Sequence, residues 1–237
     1  MFWPQGEGDY RMQNPYWIAY RNLRLNQKKR YMLSAQLSYD ITDWLNISGR
    51  VRVDNTHTKY EQKLYASSNL TITEESTQGH YTISKPDETQ TYADVLANIN
   101  KRFNDFSLVA NVGASIVNNR YEDLSYRGPI REKGIPNVFN VFDLDNTKKK
   151  ARQDEWQEQT QSVFASVEVG WKSMLYLTLT GRNDWASQLA NSSTPCFFYP
   201  SVGLSGVISE MLTLPEFIDY MKVRGSFSSV GMPYPRN

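Results

Sequence analysis

The pattern that most constrains this chain is a period-two alternation of apolar and polar residues, while long helical patterns are scarce. The alternating segments are 30–40, 44–54, 91–103, 106–116, 161–171, 174–185, 197–210 and 220–230. In 197–210, Val202, Leu204 and Ile208 share one phase, and small, mostly polar residues fill the other. Because successive side chains of a strand point to opposite faces, we predict eight two-faced strands. Segment 91–103 also fits a helix.

The connections between these strands alternate in length. Those at 41–43, 104–105 and 172–173 are short, whereas those at about 60–89 and 117–156 are long. The connection at 186–195 is of moderate length, and the last one, at 209–218, departs slightly from the alternation. Outer-membrane β-barrels alternate in this way, because their turns face the periplasm and their loops face the outside. We therefore predict an all-β fold, an antiparallel transmembrane β-barrel segment. No apolar run approaches the length of a transmembrane helix.

Aromatic residues are frequent near the ends of the predicted strands. Those near short turns are Tyr39, Trp44, Phe103, Phe106, Trp171, Tyr176, Phe217 and Tyr220, and those near opposite ends are Trp185, Phe197, Phe198 and Tyr199. Such rings have an apolar body and a polar edge, so they favour the boundary between lipid and water. The sequence thus predicts two aromatic girdles around an apolar band.

The predicted orientation places both ends of the chain outside the cell, because strand one runs into a short turn and strand eight leaves one. A complete barrel normally begins and ends in the periplasm, and this chain shows no apolar closing strand at its end. We expect one partial barrel domain over 1–237, with no plug domain. In this layout 1–27 is an extracellular loop, and 28–231 holds strands with short periplasmic turns and long extracellular loops.

Charged residues occupy the polar phase of several predicted strands. They are Arg50, Arg52, Asp54, Arg182, Asp184, Lys222 and Arg224. A charge facing lipid at mid-depth costs about 2–4 kcal/mol, so we expect these side chains to face the lumen. Two roles are open to them: a polar network that holds the wall together and contacts a plug, which we favour, or contact with passing substrate.

The sequence contains no familiar arrangement of catalytic or metal-binding residues. It has one cysteine, Cys196, so paired-cysteine metal sites are excluded. It has two histidines, His57 and His80, and we expect both histidines to be solvated loop residues. The group Asp143, Asp145 and Asn146 faintly resembles a calcium loop but lacks its required glycine, so a solvated turn is the better interpretation. We expect no enzyme activity, no cofactor and no metal. The net charge of +1 gives no reason to expect nucleic acid as a partner.

Three ordered motifs resemble the barrel of SusC/RagA-type TonB-dependent outer-membrane transporters. They are NPYWIAYRN at 14–22, TGRNDWASQLANSSTPCFFYPSVGLSGVISE at 180–210 and YMKVRGSFSSVGM at 220–232. Where the family has Trp-Ser-Ser, this chain has Trp185-Ala186-Ser187. The resemblance implies a barrel of about 22 strands, of which the eight predicted here are roughly a third.

The resemblance also implies a function. Members of the family import oligosaccharides or peptides through the outer membrane of Gram-negative bacteria, and they take their energy from the TonB complex. The implied partners are outer-membrane lipids, a SusD-like surface lipoprotein, the TonB complex through parts of the protein absent here, and an oligosaccharide or peptide ligand. Two alternatives remain open: a complete eight-stranded structural or adhesive barrel, and a soluble β-sandwich that binds carbohydrate.

Aromatic residues in the predicted loops are candidates for contact with the ligand or with a lid. They are Tyr16, Trp17, Tyr126, Phe139 and Phe142. Their rings can stack on sugars or pack the long loops together, and the sequence does not separate these two roles.

Overall fold

The computed structural model describes residues 14–193, 195–212, 215 and 218–231. Its strands are β1 (Asn22–Thr42), β2 (Leu45–Tyr65), β3 (Gly79–Ser84), β4 (Asp87–Phe103), β5 (Phe106–Pro129), β6 (Lys150–Trp171), β7 (Leu175–Ala186), β8 (Cys196–Val207) and β9 (Lys222–Ser228). The helices are α1 (Pro15–Arg21) and α2 (Ile208–Met211), with a short 3-10 helix at Ser187–Leu189. Among the described residues, no helix has both the length and the apolar character needed to cross a membrane.

The nine strands of the described residues belong to one sheet, in the order β1-β2-β3-β5-β6-β7-β8-β9, and β4 pairs with β2 and β5. Every predicted strand is present, and 91–103 lies in a strand, so the helical alternative for it is wrong. The strands are longer than predicted: β1 and β2 have 21 residues each and β5 has 24. A soluble sandwich needs two packed sheets, and the described residues form one, so that alternative is also wrong.

The sequence analysis missed β3, which lies inside the predicted loop at 60–89. It pairs antiparallel with both β2 and β5, for example Tyr81 with Lys63 and with Gly128. Pro86 lies in the gap between β3 and β4 and has no backbone N–H, so it interrupts the ladders that these two strands form with β2 and β5. Its carbonyl still accepts a hydrogen bond from the N–H of Thr58 at 2.9 Å. The strand pattern is therefore broken just where a single longer strand would have been recognised.

The chain divides into two compact units. Unit 1 comprises the described residues of 1–31 with 54–89 and 120–157. Its buried side chains include Leu64, Tyr81, Ile130 and Leu144. Gly79 has φ +113°, and a Cβ there would lie 2.6 Å from the carbonyl oxygen of Leu64, so only glycine allows the chain to enter β3 in this way.

Unit 2 comprises 32–53, 90–119 and the described residues of 158–237. Its β6–β7 hairpin closes over Lys172, Ser173 and Met174, and the N–H of Met174 donates to the carbonyl of Trp171 at 2.9 Å. Lys172 and Ser173 both have positive φ (50° and 58°), as in the turns that match strand twist. The registers of β6 to β9 align apolar residues in rows, such as Val167, Leu179, Val202 and Phe227. The neighbouring row is Ser166, Thr180, Ser201 and Ser228, so the predicted two-faced character is confirmed.

The predicted aromatic cluster at 197–199 divides between the two faces. Phe198 pairs with Asn183 in the apolar phase, where Trp185 also lies. Phe197 and Tyr199 lie on the polar face, with their ring centroids 6.4 Å apart. Consecutive strand residues cannot share a face, so these three rings do not form one girdle. Phe217, predicted near a short turn, lies outside the described residues.

Candidate functional site

The first candidate site is a polar network in unit 2, built by β2 and β4. The guanidinium of Arg50 donates from Nε to Oδ2 of Asp94 at 2.8 Å. The guanidinium groups of Arg50 and Arg52 both lie over the ring of Tyr92, each 5.3 Å from its centroid. Arg52 also donates from Nη2 to Oε1 of Gln90 at 3.1 Å. The structure thus brings two predicted residues together on a shared set of partners from β4.

A second polar network in unit 2 lies on β6 and β7. Arg182 donates from Nε to Oδ1 of Asp184 at 2.7 Å and from Nη2 to the hydroxyl of Ser162 at 2.9 Å. Its guanidinium lies 5.7 Å from the ring centroid of Phe164, its register partner on β6. These contacts hold the guanidinium of Arg182 against groups of β6 and β7, and the carboxylate of Asp184 balances its charge.

The predicted residues on β9 lie on the same face as Arg182. Arg224 pairs with Ser205 and Lys222 pairs with Val207 in the β8–β9 register. The ammonium of Lys222 lies 5.3 Å from the ring centroid of Tyr176. Both side chains are exposed, so this end of the polar face offers cations that solvent can reach.

Asp54 belongs to unit 1 rather than to unit 2. Arg30 forms two hydrogen bonds with its carboxylate: Nε donates to Oδ1 at 2.8 Å, and Nη2 donates to Oδ2 at 2.5 Å. This is the geometry that arginine favours with a carboxylate. The sequence indicates the acid but not its partner, because Arg30 is the first residue of the predicted first strand and no local pattern pairs it with Asp54.

The predicted loop aromatics occupy different environments in unit 1. Trp17 on α1 donates its indole N–H to the hydroxyl of Ser68 at 2.9 Å. Phe139 packs edge-on against Tyr65, with ring centroids 5.0 Å apart, and also contacts Tyr81. Trp17 and Phe139 therefore help to pack the loops.

The other three predicted aromatics are less enclosed. Phe142 is 80 % exposed and Tyr16 is 77 % exposed. Arg131 covers one face of the Phe142 ring at 5.4 Å from the centroid. Tyr126 is half-buried on β5, opposite Ile83. Tyr16 and Phe142 are thus the two predicted aromatics that present most of their surface to solvent.

Unit 1 also contains a cavity of about 680 Å³ that the sequence analysis did not find. Its lining residues are Ile18, Asn22, Arg24, Gln62, Leu64, Ile72, Glu74, His80, Thr82 and Arg127. They come from α1, β1, β2, β3, β5 and the 66–78 segment, so only tertiary structure assembles them. The one signal in the sequence is the polar pair His80 and Thr82 in alternating phase, which lies within the predicted loop at 60–89.

His80 is the buried polar group of this cavity, and its predicted solvation is wrong. The residue is 5 % exposed, because β3 lies between β2 and β5. Its Nε2 lies 3.7 Å from Oε1 of Glu74, and Nη2 of Arg127 lies 3.6 Å from the same oxygen. Burial lowers the pKa of His80 below its ordinary value of 6.5, although Glu74 opposes this. His57, by contrast, is exposed and lies 3.2 Å from Asp87.

The loop at 130–149 holds its acidic side chains in local contacts. Asp143 accepts a hydrogen bond from Arg131 at 2.8 Å, and Asp145 accepts from the backbone N–H of Thr147 at 2.8 Å. Within the described ranges no group of three or more His, Cys, Asp or Glu side chains is arranged to hold a metal ion.

Long antiparallel strands with one apolar face and one face of paired charges define the wall of an outer-membrane β-barrel. The chain belongs to the family of TonB-dependent receptor-like β-barrels, whose family model matches residues 3–233. Members of this family are transporters of the outer membrane. The fold class and the family resemblance inferred from sequence are thereby confirmed.

Solved structures of the RagAB peptide transporter share the fold. One has a TM-score of 0.75 at 14 % identity. The RagAB peptide importer in its "open-open" and "closed-closed" states has TM-scores of 0.72 and 0.70, at 15 % and 14 % identity. Each alignment covers 92 % of this chain but 24 % of the matched chain, so the chain spans about a quarter of those proteins. No protein among those with curated functions matches this sequence.

Proposed function

We propose that this chain forms part of the barrel wall of a TonB-dependent nutrient importer in the outer membrane of a Gram-negative bacterium. The observation that carries the proposal is the family match over residues 3–233. The two-faced rows of β6 to β9 support it, because a barrel wall needs an apolar face toward lipid and a polar face toward the lumen. The family match also favours the transporter over a small structural or adhesive barrel.

In the proposed layout the whole chain, 1–237, is one partial barrel domain. Residues 1–27, which include α1 and the start of β1, lie outside the cell, short turns face the periplasm and long loops face outside. The charged residues Arg50, Arg52, Asp54, Arg182, Asp184, Lys222 and Arg224 face the lumen. The pairing of Arg50 with Asp94 and of Arg182 with Asp184 supports a network that stabilises the wall. Lys222 and Arg224 are the cations best placed to meet substrate.

The proposed cargo is an oligosaccharide or a peptide, delivered with the help of a SusD-like surface lipoprotein. Sequence motifs at 14–22, 180–210 and 220–232 support this class of importer, and the structures that share the fold are described as peptide transporters. TonB would supply energy through parts of the transporter outside this chain. The exposed rings of Tyr16 and Phe142 are proposed to contact ligand or lid, and the chain itself carries out no chemical step.

Cysteine labelling in outer membranes tests the wall directly. Leu179 and Thr180 are neighbours on β7 that point to opposite faces and are both exposed in the isolated sheet. In a Cys196→Ser background, a membrane-impermeant maleimide should label Thr180→Cys from the lumen and leave Leu179→Cys unlabelled. Equal labelling of the two positions would contradict the proposal.

A growth experiment tests transport. A strain that lacks the gene should lose growth on peptides or on oligosaccharides supplied as the sole carbon source, and the intact gene should restore it. Unchanged growth on a panel of both classes would remove nutrient import as the function.

A further inference from the structure

The cavity of unit 1 combines an aliphatic wall with a surplus of positive charge, and we propose that it binds a carboxylate carried on an aliphatic body. The inference goes beyond nutrient import. It rests on the proposed function in one respect: the cavity must be open to water when the natural protein is in the outer membrane. Its residues fall outside both the charged strand positions and the loop aromatics of the proposed lumen.

The charges that line the cavity do not cancel. Arg24 and Arg127 contribute two guanidinium groups, and Glu74 contributes one carboxylate. His80 is buried, which favours its neutral form. Among the described residues no acid forms an ion pair with Arg24, and the other charged group near His80 is Lys150, a further cation. The cavity therefore attracts an anion.

The geometry of the existing ion pairs leaves room for a ligand. Oε1 of Glu74 lies 3.6 Å from Arg127 and 3.7 Å from His80, both longer than a direct hydrogen bond. Guanidinium groups present paired N–H donors that match the two oxygens of a carboxylate. Arg24 is thus the primary anchor for a ligand carboxylate, and Arg127 is the second.

The remaining walls favour an aliphatic ligand over a neutral sugar. Ile18, Leu64 and Ile72 line the cavity, and Leu64 is buried. None of the lining residues is Phe, Tyr or Trp, the side chains on which a sugar ring stacks. An aliphatic group placed against these walls is removed from water, which favours binding.

Polar side chains in the walls provide a further contact. Gln62 and Thr82 are half-buried and line the cavity, and they offer an amide and a hydroxyl group. Both groups can form hydrogen bonds with an amide of the ligand, so an acylated amino acid fits better than a simple fatty acid.

The test uses ligand-observed NMR to measure how tightly small probes bind to the natural, full-length protein purified in detergent. The probes are N-acetyl-leucine and its uncharged amide, which differ only at the carboxyl group, with maltotriose as a neutral sugar. We expect N-acetyl-leucine to bind about tenfold or more tightly than the amide, because hydrogen bonds to charged groups are the strong ones. Equal affinities for acid and amide, binding of maltotriose alone, or no binding would overturn the inference.

Substitution identifies the anchor. Arg24→Gln should weaken binding of N-acetyl-leucine about tenfold, whereas Lys28→Gln, which removes one charge from the same exposed strand outside the cavity, should leave it unchanged. Arg127→Gln gives a second test if the first variant folds poorly. Equal effects of Arg24→Gln and Lys28→Gln would refute the anchor.

The growth experiment separates this inference from the proposed function. Carboxylate binding that depends on Arg24, without any growth defect in the deletion strain, would leave the cavity site standing and remove nutrient import. A growth defect without carboxylate binding would support nutrient import and remove the cavity site.

Discussion

Placing a charge on the apolar face of β7 provides the most direct energetic test of the barrel wall. Leu179 lies between Val167 of β6 and Val202 of β8 in the sheet, and 47 % of it is exposed. Replacing it with arginine retains an aliphatic stem against these neighbours but places a guanidinium where lipid is predicted. The neighbouring Thr180 belongs to the polar row, so Thr180→Arg is the matched control.

The expected cost follows from the position of Leu179 along the strand. It lies four residues after Leu175, where β7 begins. At about 3.3 Å per residue this is roughly 13 Å along the strand, or about 10 Å of depth at a tilt near 40°. The apolar band is about 25 Å tall, so Leu179 is near its middle, where arginine costs about 2–4 kcal/mol. This reduces the ratio of folded to unfolded protein by roughly 30-fold to 1,000-fold.

The assay is guanidinium titration of the natural, full-length protein folded into phosphatidylcholine vesicles. Leu179→Arg should lower the free energy of unfolding by about 2–4 kcal/mol, and Thr180→Arg by less than about 1 kcal/mol. If the two variants lose the same stability, or if Thr180→Arg loses more, the assignment of lipid and lumen faces is refuted.

Three further perturbations test other parts of the structure. Gly113→Ala places a methyl 2.7 Å from a phenylalanine ring carbon and should cost about 1–3 kcal/mol in the same titration, whereas at Gly203 the nearest atom is 3.7 Å away and alanine should be tolerated. Trp17→Phe removes the indole N–H that donates to Ser68, which lowers the local stability of α1 by about 1 kcal/mol. Amide hydrogen exchange in α1 should therefore become about fivefold faster, whereas Tyr16→Phe should leave it unchanged. His80 lies outside the predicted membrane-spanning strands, and its pKa is lowered in the folded state. As the pH falls, the unfolded state therefore binds a proton at His80 before the folded state does, and the free energy of unfolding decreases. The melting temperature of the natural protein should therefore fall more steeply below pH 6.5 than that of His80→Gln, and parallel curves would contradict this.

Much of the sheet was predictable because its signal is local. Alternation at 161–171 and 174–185 assigned Val167 and Leu179 to one phase and Thr180 to the other, and the register confirms it. The short strand β3 was missed because Pro86 breaks the pattern after Ser84. A run of six residues next to a proline looks like part of a loop when its partners are unknown.

The candidate sites were less predictable. The polar phase correctly drew attention to Arg50 and Arg182, but the choice of Asp94 as partner for the first depends on the pairing of β2 with β4. The loop aromatics were found by type alone, and their environments differ: Phe139 is packed between Tyr65 and Tyr81, whereas Phe142 is exposed. Residue type does not report which neighbours a loop will meet.

The sequence by itself determined that the strands have an apolar and a polar face, because the direction of a strand side chain depends only on its position along the backbone. Tertiary structure alone decided that His80 is buried and that Arg24, Glu74 and Arg127 surround one cavity. Those residues are brought together by pairing between distant segments and by the packing of 66–78. Such contacts depend on the register of the whole sheet, which no local pattern contains.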